Sequence, residues 1–257
     1  MERARELIKP YLTKAGVIGI YVLGSSTRPF RDQLSDYDIE VIVEDETYSS
    51  LPDEEKHVFV IDDGPPRRVD HEFYLRPMSE FLALTTSYQD LFHYPYQHAV
   101  VLHDPEYRLG AVIEHLAQLS PDVRRVRMRV HYLEFLFALG RARKTSERSN
   151  GLNLDLLYGS ALAALIKLLF LVMKSWPATT HWSQEELVIL GIDKSLLEQI
   201  KTAFAAPTRE KLLELLDAVK VFLSDHGETF QNDSNALMHW AFITTEGKRA
   251  FTDWGAR

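Results

Sequence analysis

In "SDYDIEVIV" the carboxylates Asp36, Asp38 and Glu40 alternate with apolar residues, and ten residues upstream "GVIGIYVLGS" ends in Gly24 and Ser25. Side chains alternate along an extended chain, so Asp36, Asp38, Glu40 and Ile42 share one face while Tyr37, Ile39, Val41 and Val43 share the other. Two carboxylates about 5 Å apart repel by roughly 3 kcal/mol at an effective dielectric near 20, a sizeable fraction of a domain's net stability. A divalent cation between them removes that cost, and hard oxygen donors of this kind suit Mg²⁺ shared with substrate phosphates. The plain alternative is a solvated edge-strand face.

Two neighbouring features favour the cation. Gly24-Ser25 closes an aliphatic, β-branched run, where glycine admits close approach to the backbone and the N–H groups with the Ser25 hydroxyl suit a phosphate. The ten-residue loop to Asp36 is long enough to return the acidic strand beside the first one. Further on, "RRVDHEFYL" sets Asp70 and Glu72 on one strand face, with Val69, His71 and Phe73 on the other. A second acidic face could then meet the first.

These residues need a sheet to hold them. Strand patterns fall at Gly16 to Gly24, Tyr37 to Val43, "KHVFVIDDG" and "RRVDHEFYLRP", the last two forming a hairpin around the turn formers "DDGPP". "MSEFLALTTSYQDLF" has helical spacing, "HAVVLHD" reads as a short strand, and Asp104 with Pro105 reads as the start of a helix. Beyond residue 118 the strands stop. Ser120-Pro121 opens a long helix, Ser183 with Glu186 forms a capping box, and "TREKLLELLDAVKVFLSDHG" repeats leucine at helical spacing. "KTSERSNG" is the most loop-like break, and the segment after Gly227 carries mixed signals. The fold class is therefore α+β: a mixed sheet domain with flanking helices over residues 1–118, then a helical bundle over 119–257.

Composition narrows the partners. The 257 residues are 46% hydrophobic and 26% charged, and they contain no cysteine. Disulfides, thiolate metal sites and thiol nucleophiles are excluded, and a reducing cytoplasmic location is expected. Net charge is −8, concentrated in residues 1–110, which hold 20 acids against 11 Lys and Arg. Long nucleic acid, gripped by neutralising phosphates, is a poor partner for such a surface. A secretory signal is not evident at the charged N-terminus. Leu156 to Met173 carries a single charge, Lys167, and is long enough for a membrane span, but its polar interruptions and amphipathic neighbours fit a buried core helix.

Gly24-Ser25, ten intervening residues, Asp36-Tyr37-Asp38 before an apolar run, and Asp70 in a later strand together resemble the signature of the nucleotidyltransferase superfamily that includes DNA polymerase β. The layout is similar to the kanamycin and related aminoglycoside nucleotidyltransferases. That resemblance implies Mg²⁺ on Asp36, Asp38 and Asp70, and ATP phosphates on Gly24, Ser25, Ser26 and Arg28. It implies transfer of AMP to a small-molecule hydroxyl, with a cationic, aminoglycoside-like acceptor suiting the acidic half and antibiotic resistance as the associated role. It leaves room for a homodimer. The family's general base lies on a second-domain helix, where Glu134 is the acid present. The match there is imperfect: the family base aligns nearer Ala138, its following lysine is absent, and Arg141, Arg143 or Lys144 stand in. Asp70 is the alternative base, while Glu40 and Glu72 are candidate substrate-side acids. A protein or tRNA acceptor, or a non-catalytic nucleotide-binding or antitoxin-type module, are the rival readings. Arg124, Arg125, Arg127 and Arg129 read as a solvated helix face, and His93, His98 and His103 as packing or surface residues.

Overall fold

β-branched and aromatic residues between glycines and turn formers give the first unit five strands, β1 (Val17–Leu23), β2 (Tyr37–Val43), β3 (His57–Asp62), β4 (Arg68–Pro77) and β5 (Val100–His103). With them lie α1 (Glu2–Leu7), α2 (Asp45–Ser50), α3 (Asp53–Lys56), α4 (Met78–Ala83) and α5 (Gly110–Ala117). The computed structural model describes residues 1–87, 89–148 and 151–253. The chain divides into two units, Met1–Gln118 and the residues from Leu119 onward.

The sheet order is β3-β4-β2-β1-β5. β2 and β4 are parallel, joined by a crossover through α2, α3 and β3, while the remaining neighbours are antiparallel. Register puts Leu23 beside Asp38 on one side of β2 and Glu72 beside it on the other. One sheet face, with Ile20, Val22, Ile39, Val41, Phe73 and Leu75, is buried under Ala4 and Ile8. The opposite face buries Tyr21 and Ile42 under Phe81, Leu84, Tyr96, Leu109 and Ile113. On β2 this second face runs from buried Ile42, through Glu40, to partly exposed Asp38. The acids therefore occupy its open end.

The second unit is helical: α6 (Pro121–Ser146), α7 (Gly151–Val172), α8 (Ser183–Ile189), α9 (Lys194–Ala205), α10 (Arg209–Asp225), α11 (Ser234–Ile243) and α12 (Thr245–Asp253). Ser120 caps α6 by accepting from the Val123 N–H, and Pro121 sits at its first position, as the sequence pattern leads one to expect. α7 is long and apolar enough to cross a membrane, and its Leu168 to Val172 end is buried in the core of this unit. α11 and α12 are built from the segment whose signals were mixed.

Three sequence expectations need correction. Asp104 does accept from the backbone N–H groups of Arg108, Leu109 and Gly110, but the helix begins only at Gly110, because residues after Pro105 form a turn with Tyr107 at φ +57°. Ser183 is not an N-cap; its hydroxyl donates back to the Thr179 carbonyl, and the helix start carries no side-chain cap. The break proposed over "KTSERSNG" is helical through Ser146, and its Ser149 and Asn150 lie outside the described residues.

Candidate active site

The site is built outward from Asp38. Its strand neighbours are Leu23 and Glu72, and the chain turns sharply at Gly24 immediately after Leu23. Gly24 has φ +77°, a conformation that favours glycine, and a Cβ placed there would lie 1.8 Å from Asp38 Oδ2. Backbone and carboxylate are thus packed together as only glycine permits. Gly24–Thr27 forms a 3-10 turn in which the Ser26 hydroxyl donates to the Leu23 carbonyl and Thr27 donates to the Gly24 carbonyl. Ser26 is buried by that internal role, whereas Ser25 is half-exposed.

Arg28 does not face this turn as an open phosphate contact. It is only 5% exposed, its guanidinium donates to the Tyr94 carbonyl at 3.1 Å, and it lies 4.5 Å from the Tyr94 ring centroid. The side chain ties the phosphate-loop region to the packed segment around Tyr94.

Asp70 is likewise not brought to Asp38. Between β3 and β4 the pairing steps from Val60 with His71 to Ile61 with Val69, leaving Asp70 as the extra residue of a bulge. A bulge re-aims the side chain it carries. Asp70 Oδ2 accepts from Arg3 of α1 and pairs with His71 Nδ1 at 2.8 Å. Those partners hold its carboxyl below the ordinary carboxylate range despite some burial. Glu72, two residues on, is the acid in register with Asp38, and its Oε1 pairs with His57 Nε2 at 2.8 Å.

Glu40 is engaged too. Tyr21 donates to it through its hydroxyl, Tyr96 does so at 3.5 Å, and Arg76 Nε donates at 3.2 Å. It is therefore not an open substrate-side acid. Neither the tyrosines nor Arg76 were singled out from sequence; an arginine within an otherwise apolar strand end was the available signal.

Electrostatics distinguishes the open acids. Burial raises the Asp38 carboxyl to about 7, with further upward contributions from Asp36, Glu72 and Glu40. Burial also raises Asp36, with Glu72 adding to it. Among the described residues no Lys or Arg pairs with Asp36 or Asp38. Nor do any three His, Asp or Glu groups there converge tightly enough to ring a metal as they stand. Oxygen donors in deficit of positive charge suit Mg²⁺, and the acids that act electrostatically on Asp38 are Asp36, Glu72 and Glu40, not Asp70.

No family model and no curated protein matches this chain. Among solved structures, the chain is similar to the crystal structure of a nucleotidyltransferase-like protein from Exiguobacterium sibiricum 255-15, with 15% identity and a TM-score of 0.46, covering 98% of this chain and 87% of that one.

In the second unit, Glu134 Oε2 pairs with His131 Nδ1 at 2.7 Å. Both line a pocket of about 450 Å³ with Arg141, Ser160 and Lys167. Burial lowers the pKa of His131 despite the carboxylate beside it. The arginines of α6 are engaged by neighbouring elements, although Arg125 keeps 41% of its side chain exposed. Arg124 donates to the Leu171 and Val172 carbonyls and to Glu228, Arg125 pairs with Glu246, and Arg127 and Arg129 lie over Trp176 and Trp240. They lace α6 to its neighbours. Of the histidines, His93 is a packing residue, bonded to the Leu116 and Ser87 carbonyls.

Proposed function

We propose that the chain is a Mg²⁺-dependent nucleotidyltransferase that moves AMP from ATP to a hydroxyl of a small acceptor. The single observation that carries this reading is the close approach of the Gly24 backbone to the Asp38 carboxylate, with Glu72 in register beside it and Asp36 near enough to raise its carboxyl. A close-approach turn beside two acids, Asp36 and Asp38, that have no Lys or Arg partner among the described residues is what supports a triphosphate and its metal here. The resemblance of the Gly24-Ser25 and Asp36-Tyr37-Asp38 spacing to the nucleotidyltransferase signature points the same way.

In this reading Asp36, Asp38 and Glu72 would hold the ion, which when bound neutralises charge on the reacting phosphate. Ser25 and the N–H groups opening the turn would bind the β- and γ-phosphates. The acceptor oxygen forms its bond to the α-phosphorus as the bond to pyrophosphate breaks, and the protein's contribution is mainly positioning. The hydroxyl's proton passes to a carboxylate; Asp70 is less suited because Arg3 and His71 already occupy it, and Glu134, the candidate on the second unit, is paired there with His131. The acidic first unit would favour a cationic acceptor.

The test is pyrophosphate release from ATP with Mg²⁺ across a panel of hydroxylated acceptors, together with transfer of α-labelled phosphate. Acceptor-dependent release that disappears in Asp36→Asn and Asp38→Asn supports the reading. Release unchanged in both variants, or no nucleotide binding at all, overturns it.

A further inference from the structure

Glu40 stands two residues beyond Asp38 on the same strand face, yet it is withdrawn from the open acids. Its carboxylate is fixed by the hydroxyls of Tyr21 and Tyr96, one from the neighbouring strand and one from the segment covering the sheet. It receives Arg76 through Nε at 3.2 Å and Nη2 at 3.5 Å. Glu80 receives Nη1 of the same guanidinium, and the Tyr74 ring lies 4.8 Å beneath it. The Glu40 and Arg76 side chains are 13% and 11% exposed.

Asp38, Glu40, Glu72, Tyr74 and Arg76 all line one small cleft of about 170 Å³. One guanidinium therefore shares this cleft with three carboxylates, bonded to Glu40 and not to Asp38 or Glu72, and it reaches Glu80 as well. Arginine carries its charge at every accessible pH and binds carboxylates through a planar fork. Released from Glu40, it would neutralise Asp38 in place of a metal. Tyrosine hydroxyls, which add no charge, can fix Glu40 without competing for the arginine.

We propose that Glu40 is a positioning residue that holds Arg76 off Asp38 and so keeps the acid cluster open to a divalent cation. The inference rests on the metal-binding reading above and names a residue pair that regulates it.

Mn²⁺ titrated calorimetrically into the full-length protein tests it, with thermal melting of each variant as the control for folding. Glu40→Gln, which leaves Arg76 its Glu80 partner, should weaken Mn²⁺ binding about tenfold or more, as expected for a cation released beside the site. Arg76→Met should bind within about threefold of the wild type, and the double variant should recover from the Glu40→Gln loss to that same level. Tyr21→Phe, a milder loosening of Glu40, should give an intermediate loss and serves if Glu40→Gln fails to fold. A purely structural pair predicts instead that the losses follow melting temperature and that the double variant is the weakest binder. Wild-type affinity in Glu40→Gln or Tyr21→Phe, or no recovery in the double variant, overturns the proposal while leaving the metal reading intact. Absence of Mn²⁺ binding in the wild type overturns both.

Discussion

Glu72 lies directly beside Asp38 across the parallel β2–β4 pair, while Asp70, two residues earlier, is turned by a bulge to Arg3 and His71. The two acids therefore separate in a binding experiment. Glu72→Gln should weaken divalent-ion binding about tenfold, since it removes a charge adjacent to Asp38. Asp70→Asn should leave the affinity within about threefold and cost under about 1 kcal/mol of stability, because Arg3 is largely exposed. The reverse order of effects would favour Asp70 over Glu72 as the third ligand of the proposed site.

Gly24 makes a second prediction. An alanine there meets Asp38 Oδ2 at 1.8 Å and must hold a positive φ. Gly24→Ala should destabilise the first unit by about 1–3 kcal/mol and abolish divalent-ion binding by displacing Asp38. Chemical denaturation and calorimetry on the same preparation check both parts. An unchanged affinity would mean that the turn and the carboxylate are not coupled.

The raised Asp38 carboxyl sets a pH dependence. Its folded pKa is about 7 against an ordinary value of 3.8, so between those values the folded state holds a proton that the unfolded state has lost. Stability from this group therefore falls as pH rises from about 4 to 7, and the full penalty stands above that window. Metal-free wild type should melt lower at pH 8 than at pH 5.5, and Asp38→Asn should reduce that difference. Saturating Mg²⁺ at pH 8 should raise the wild-type melting temperature, by about 2.7 kcal/mol of stabilisation at a hundredfold excess over Kd. Equal pH profiles for wild type and Asp38→Asn would contradict the assignment.

The second unit carries an independent prediction. Glu246 is held at about 2, first by Arg125 and then by the Trp240 N–H. A depressed carboxyl stabilises above its ordinary value of 4.5, and that contribution is lost as pH falls toward 2. Both partners are more than a third exposed, so screening limits the effect: Glu246→Gln should cost about 1 kcal/mol at neutral pH by denaturant titration. A cost of several kcal/mol would mark the contact as buried in solution.

The α+β class, the hairpin and the pairing of the Gly24 turn with Asp38 were legible because periodicity and turn chemistry are local. Which acid lies beside Asp38 was not. Alternation places Asp70 and Glu72 on one face, and only a one-residue bulge, set by how β3 pairs with β4, separates them. Glu40 and Arg28 were misread for a related reason: their partners Arg76, Tyr21 and Tyr94 are distant in sequence, and nothing local shows that a charge is already satisfied. The α6 arginines looked solvated because their acceptors are helix-end carbonyls and aromatic faces on other helices.

The most direct test of the account is calorimetric titration of Mn²⁺ into the wild type and Asp38→Asn at pH 8. The account predicts saturable binding in the wild type and its loss in the variant, with the variant still folded by circular dichroism. Wild-type protein that takes up no ion, or a variant that binds it equally well, would contradict the claim that Asp38 is the centre of a metal site.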